Sequence, residues 1–156
     1  MKNNFFSPDF QDFITALNVA EVEYVLIGGY SVNLHGYSRT TGDLDIWVRQ
    51  TAENYERLVR AFHRFGMPVF DMNLEKFLNA ENDVFTFGRP PVSIDILTAA
   101  KGLDFEAVFS KSEWFEVEEN LNVRAIRLAD LLDAKRAAGR PKDLDDLENL
   151  KRKNQL

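Results

Sequence analysis

Two aspartates, Asp43 and Asp45, stand two positions apart in the run Asp43-Leu44-Asp45-Ile46-Trp47-Val48. On an extended chain, residues i and i+2 project to one face. The two carboxylates therefore share a side with Trp47, while Leu44, Ile46 and Val48 turn to the other. Like charges that close repel unless something positive neutralises them. A divalent cation does this, and hard oxygen ligands suit magnesium or manganese. A second apolar run, Val92-Ser93-Ile94-Asp95-Ile96-Leu97, repeats the design, with Val92, Ile94 and Ile96 on one face and Asp95 beside Ser93 on the other. If the two strands are neighbours, three carboxylates converge on one patch. That donor set serves two-metal phosphoryl or nucleotidyl transfer. A lone D-x-D is equally a solvated strand face. The third aspartate and the glycines upstream give the pattern its weight.

Those glycines, Gly28 and Gly29, end the apolar run Val22 to Ile27. Without a Cβ, they let backbone approach a phosphate, and a helix N-terminus behind them attracts anions. The plainer alternative is a tight strand-to-helix turn. Ser31 either donates to a phosphate or caps that helix. Arg39 either clamps a phosphate with its planar fork or bridges to Asp43 or Asp45. Lys135 falls on the stripe of Leu128, Leu131 and Leu132, so it reaches either a nucleotide phosphate or a charged partner such as Asp143. His35 has no second histidine near it and reads as a packing or hydrogen-bonding residue. The basic tail Lys151-Arg152-Lys153 reads first as a favourable helix C-terminus.

The elements that must position these residues are legible from period and punctuation. Ser7-Pro8 opens a helix carrying Phe10, Phe13, Ile14 and Leu17 on one face. Val22 to Ile27 is a buried strand, Ser31 to Tyr37 a short helix, and Leu44 to Val48 a strand. Thr51 to Phe65 is a helix capped by Thr51 and stopped by Gly66. Leu74 to Leu78 makes a helical turn. Asp83 to Phe87 and Val92 to Leu97 are strands around Gly88-Arg89-Pro90-Pro91. Leu103 to Phe109 is helical, and Trp114 to Val117 with Val123 to Ile126 form a hairpin around Glu119-Asn120. Leu128 to Ala138, stopped by Gly139, and a helix from Pro141 to about Lys153 close the chain. Alternating strands and helices predict an α/β or α+β sheet domain with a helical C-terminal end.

The totals narrow the chemistry. At 156 residues, 45% hydrophobic and 28% charged, the chain fits one domain with a real core. We expect a single domain over 1–156, its core at about 20–126 and its C-terminal helices at about 128–153. A net charge of −6 means that nucleic acid would need a local basic patch. With no cysteine, disulfides, thiolate zinc sites and a cysteine nucleophile are excluded. With two histidines, a multi-histidine metal site is disfavoured. No apolar run approaches the roughly 20 residues of a membrane span, and the first ten residues lack a signal-peptide core. A cytoplasmic protein without a membrane partner is expected.

Taken together, Gly28-Gly29-Tyr30-Ser31, then Asp43-Leu44-Asp45-Ile46, then Asp95 resembles the pattern of the DNA polymerase beta-type nucleotidyltransferase superfamily. Within it, Gly28 to Trp47 is similar to bacterial nucleotidyltransferase-like proteins that include abortive-infection toxins. These carry an Arg and a Thr ahead of the D-x-D, as Arg39 with Thr40 or Thr41 do here. They also carry a helical Lys and an Arg-x-Lys-Asp opening the last helix, matched by Lys135 and Arg140-Pro141-Lys142-Asp143. Ile27 stands where the toxins commonly have Lys. The resemblance implies a small mixed sheet flanked by helices and Mg²⁺-dependent transfer of a nucleoside monophosphate from an NTP to a hydroxyl. The acceptor would be an RNA end such as tRNA, a protein or a small molecule such as an aminoglycoside. By motif position Asp43 and Asp45 would bind both metals. Asp95 would bind the catalytic metal and help deprotonate the acceptor. Gly28, Gly29, Ser31, Arg39 and Lys135 would serve the nucleotide. The alternative is a nucleotide-binding or regulatory module without transfer activity, such as half of a toxin–antitoxin pair with a cognate antitoxin.

Overall fold

A computed structural model of the chain describes residues 6–89 and 92–156. Helix α1 (Pro8–Val19) leads into strand β1 (Tyr24–Ile27), short helix α2 (Gly28–Leu34) and strand β2 (Asp43–Val48). Helices α3 (Ala52–Phe65) and α4 (Leu74–Leu78) precede strands β3 (Val84–Arg89) and β4 (Val92–Leu97). Helix α5 (Phe105–Lys111), strands β5 (Glu113–Glu118) and β6 (Leu121–Ala125), and helices α6 (Leu128–Ala138) and α7 (Pro141–Lys153) complete the chain. The helix starts follow their caps. The Ser7 hydroxyl accepts from the Phe10 N–H at 3.2 Å, and that of Thr51 from the Asn54 N–H at 3.1 Å.

The strands form one six-stranded mixed sheet in the order β3-β4-β2-β1-β6-β5. Strand β2 is antiparallel to β1 and parallel to β4. Its alternation divides the molecule. Leu44, Ile46 and Val48 enter the larger core with Phe10, Phe13, Ile14 and Leu17 of α1 and Leu58, Ala61 and Phe62 of α3. Trp47 enters a smaller core on the opposite face. It packs there with Val25, Val32 of α2, Val108 of α5, Leu131 and Leu132 of α6, and Leu150 of α7. Asp45 and Asp43 follow Trp47 on this second face. Helices therefore bury the middle of β2 on both sides, and its N-terminal end brings the carboxylates out beside α6 and α7.

Several boundaries differ from expectation. Helix α2 begins at Gly28 rather than Ser31 and ends at Leu34 rather than Tyr37, because the glycine pair is itself the first turn. Strand β1 begins at Tyr24 rather than Val22, since the Val22 N–H turns back to the Leu17 carbonyl at 3.0 Å. Helix α5 begins at Phe105 rather than Leu103, since the Asp104 carboxylate caps it through the Ala107 N–H at 3.1 Å. Strand β3 starts one residue later than expected and runs on to Arg89, whereas β5 and β6 start one and two residues earlier. Pro90 and Pro91 of the expected β3–β4 turn lie outside the described residues.

Candidate active site

The parallel pairing of β2 with β4 sets Asp45 opposite Asp95 and Asp43 opposite Ser93. The three aspartates thus share the expected face. They are not equivalent. Asp43 is exposed at the strand end, and its Oδ1 accepts a short hydrogen bond from the Ser93 hydroxyl. Asp45 and Asp95 lie deeper. The Asp45 carboxyl is pushed up to about 7, first by burial and then by the charges of Asp95 and Asp43, with Lys135 pulling the other way. Asp95 Oδ1 is buried without a hydrogen-bond partner. A buried carboxylate oxygen with no donor, beside a second carboxylate that resists ionisation, is an uncompensated negative site. Hard oxygen donors in this arrangement fit a magnesium or manganese ion. Among the described residues no three carboxylates or imidazoles are already gathered as a ligand cage.

The glycines fit tightly under this patch. A Cβ on Gly28 would lie 2.1 Å from Asp45 Oδ2, and Gly28 holds φ +73°, a left-handed value that side chains disfavour. A Cβ on Gly29 would lie 2.2 Å from Thr41 Oγ1 and 2.7 Å from Thr41 Cβ. The glycine pair therefore seats the D-x-D carboxylate on one side and the incoming loop on the other. Ser31 is buried and its hydroxyl donates to the Gly28 carbonyl at 2.6 Å. That bond ties the first turn of α2 together. Ser31 is not the N-cap, a position held by Ile27.

Behind the carboxylates runs a chain of charge, buried at Lys135, Asp143 and Asp146 and exposed at Arg140. Arg39 does not pair with Asp43 or Asp45. Its Nε and Nη2 donate to the two oxygens of Asp146 at 2.9 Å each, a bidentate fork. Lys135 Nζ lies 2.8 Å from Asp146 and 3.4 Å from Asp143. Arg140 donates to Asp143 through Nε at 2.6 Å. This bond is the main cause that holds the Asp143 carboxyl below the usual range, assisted by Lys135. Asp143 and Asp146 are each 1% exposed. The expected Lys135–Asp143 pair is present, and Asp146 joins it. Sequence reasoning missed Asp146. Its signal was positional: it lies three residues after Asp143 and four before the buried Leu150, on the inward stripe of α7.

A cleft of about 270 Å³ opens over the carboxylate face, between Gly28, Asp45 and Leu97 on one side and Leu131, Lys135 and Arg140 on the other. A larger groove of about 510 Å³, lined by Val19, Val59 and Arg60, lies between α1 and α3 beyond the other face of the sheet. It is remote from the aspartates. Gly28, the Asp45 carboxylate and Lys135 line one cleft, with Asp95 beside Asp45 in the sheet, an arrangement able to bind a metal-complexed polyphosphate.

The sequence matches no protein-family model and none of the curated proteins compared with it. By structure, the chain is similar to the lincosamide antibiotic adenylyltransferase LnuA in its lincomycin-bound crystal form, with a TM-score of 0.54 and 14% sequence identity. The alignment covers 96% of this chain and 98% of that one. No span of at least 18 residues in any described helix is apolar enough to cross a membrane. The likeness is one of fold: the chain shares the overall architecture of that adenylyltransferase, and its six-stranded mixed sheet with flanking helices is the small mixed sheet flanked by helices that the resemblance implied.

Proposed function

We propose that the chain transfers a nucleoside monophosphate from an NTP to a hydroxyl acceptor and releases pyrophosphate. The observation that carries this reading is the register of Asp45 with Asp95 against Gly28, which puts an uncompensated carboxylate pair beside side-chain-free backbone. When bound, a divalent cation would neutralise the triphosphate and the carboxylates together and polarise the transferred phosphorus. Asp43, Asp45 and Asp95 would hold it. Asp95, whose Oδ1 has no other partner, would also take the acceptor's proton. Lys135 lines the cleft with two of its three N–H directions engaged by Asp143 and Asp146, leaving one for a phosphate oxygen. Gly28 and Gly29 would admit the triphosphate close to the main chain. In this reading Arg39 acts through Asp146, which occupies its fork, rather than on the nucleotide directly.

The structural neighbour acts on a lincosamide antibiotic, which makes small hydroxylated molecules the first acceptor class to test. The net charge of −6 weighs against a large nucleic-acid footprint. The test is incubation with each labelled NTP and Mg²⁺ against small-molecule hydroxyls, total RNA and lysate protein, with Asp95→Asn as control. We expect label on one class, lost in the variant. NTP-dependent thermal stabilisation with no label on any class would instead identify a nucleotide-binding module.

A further inference from the structure

The sheet ends in two free edges, β3 and β5. Exposed edges invite pairing with another chain, and folded proteins blunt them with charges, bulges or proline. Strand β5 is blunted. Glu113, Glu116 and Glu118 stand along it, and its register shifts between Glu116 and Glu118. Strand β3 is not. From Val84 to Gly88 it reads Val-Phe-Thr-Phe-Gly, without a charge, and its side-chain charges sit only at the flanks, Asp83 and Arg89. Both flanking residues are exposed, and among the described residues neither has an ion-pair partner.

The direction of the β3 peptide groups follows from one bond. The Thr98 N–H donates to the Asp83 carbonyl at 3.0 Å. In the antiparallel ladder with β4, the peptide groups of 83, 85, 87 and 89 therefore point at β4, and those of Val84, Thr86 and Gly88 point outward. Beside this edge Phe70 is 70% exposed, although its ring stacks on Phe87 at 6.3 Å. Phe70 also holds φ +52°, an unusual value for so bulky a residue. Val84, on the opposite face, is 48% exposed.

We propose that β3 pairs antiparallel with β3 of a second copy of this chain, about a two-fold axis at Thr86. In this register Thr86 faces Thr86 and Val84 faces Gly88, so every outward peptide group finds a partner. Gly88, lacking a side chain, lets the second backbone come close. Phe85 faces Phe87 in the closely spaced positions, where side chains meet best. Phe70, lying over Phe87, is then covered by Phe85 of the copy. At each end Asp83 faces Arg89 across the seam. A slip of one residue puts the outward groups out of phase. A slip of two separates Asp83 from Arg89. The axis stands perpendicular to the sheet, so the two carboxylate faces open to the same side. Asp95 of one copy lies three strand spacings from its equivalent, roughly 14 Å.

The test is sedimentation equilibrium over a concentration series with the full chain. We expect a monomer–dimer equilibrium. Thr86→Pro removes an N–H that β4 does not use, so it should give a folded monomer with unchanged circular dichroism. Asp83→Arg should weaken dimerisation by roughly 10-fold or more by setting like charges together, and adding Arg89→Asp should restore it. A monomeric wild-type chain overturns the pairing, whatever else the edge then binds. So does a dimer indifferent to both Thr86→Pro and the charge series. The readout is mass, so the result stands apart from any nucleotidyl transfer.

Discussion

Gly28 and Asp45 occupy adjoining space so closely that a single Cβ on the glycine would overlap the carboxylate, at 2.1 Å from Oδ2. Gly28→Ala should therefore do two things. The left-handed φ of +73° should cost about 1–3 kcal/mol of stability, read in a denaturant titration. The displaced Asp45 should also lose its alignment with Asp95, and NTP turnover should fall by roughly 100-fold, as about 1 Å of misplacement can cause. Retained turnover with only the stability loss would show that Asp45 is not held for chemistry.

The metal response should depend on pH through Asp45. Its carboxyl is raised to about 7 in the fold against roughly 3.9 when unfolded, so its contribution favours the fold below pH 4 and is lost as pH rises through 7. The metal-free melting temperature should decline over that window from this group. Mg²⁺, which favours the ionised pair, should raise it more at pH 8 than at pH 5. Asp45→Asn should stabilise the metal-free protein at pH 8 by on the order of 2–4 kcal/mol and abolish the Mg²⁺ shift. A shift surviving in Asp45→Asn plus Asp43→Asn would remove the metal from this site.

Asp146 holds two cations with one carboxylate. Asp146→Ala leaves the buried Lys135 and the half-buried Arg39 with one partner fewer, and breaking a buried pair in this way typically costs about 3–5 kcal/mol. Lys135→Met separates structure from ligand binding. We expect weaker NTP affinity beyond any drop in melting temperature, measured by titration well below melting. Unchanged affinity with a lowered melting temperature would reduce Lys135 to a helix clasp.

Asp143 gives the opposite pH signature to Asp45. Its carboxyl is held low, chiefly by Arg140, so its contribution is present above the unfolded value near 4 and is lost as pH falls through the lower folded value. Acid should loosen α7 from α6. Asp143→Asn should flatten the acid limb of the stability curve, and a limb unchanged by the substitution would refute the clasp.

How much of this was legible in the sequence varied with the range of the interaction. The D-x-D alternation, the caps at Ser7 and Thr51 and the stops at Gly66 and Gly139 are local, and each appears where its residue type placed it. The adjacency of Asp45 and Asp95 was conditional on two strands meeting, and only topology could settle it. Of the two readings of Arg39, the bridge to Asp43 or Asp45 rested on nearness in sequence, whereas its partner Asp146 is 107 residues away, beyond the reach of any spacing argument. Gly28 and Gly29 were read as turn or phosphate residues. Their closeness to Asp45 and Thr41 is a matter of tenths of an ångström, which no spacing rule encodes.

The Arg39–Asp146 fork also sets an order of assembly. A ribosome delivers the glycines, the D-x-D and Asp95 long before Asp146 emerges. Until then Arg39 lacks its anchor and Lys135 lacks its nearer counter-ion. A nascent chain that has paired β2 with β4 but lacks α7 therefore has its carboxylates in register while Lys135 and Arg39 still await Asp146. α7 works as a keystone, withholding the finished cleft until it has emerged and docked.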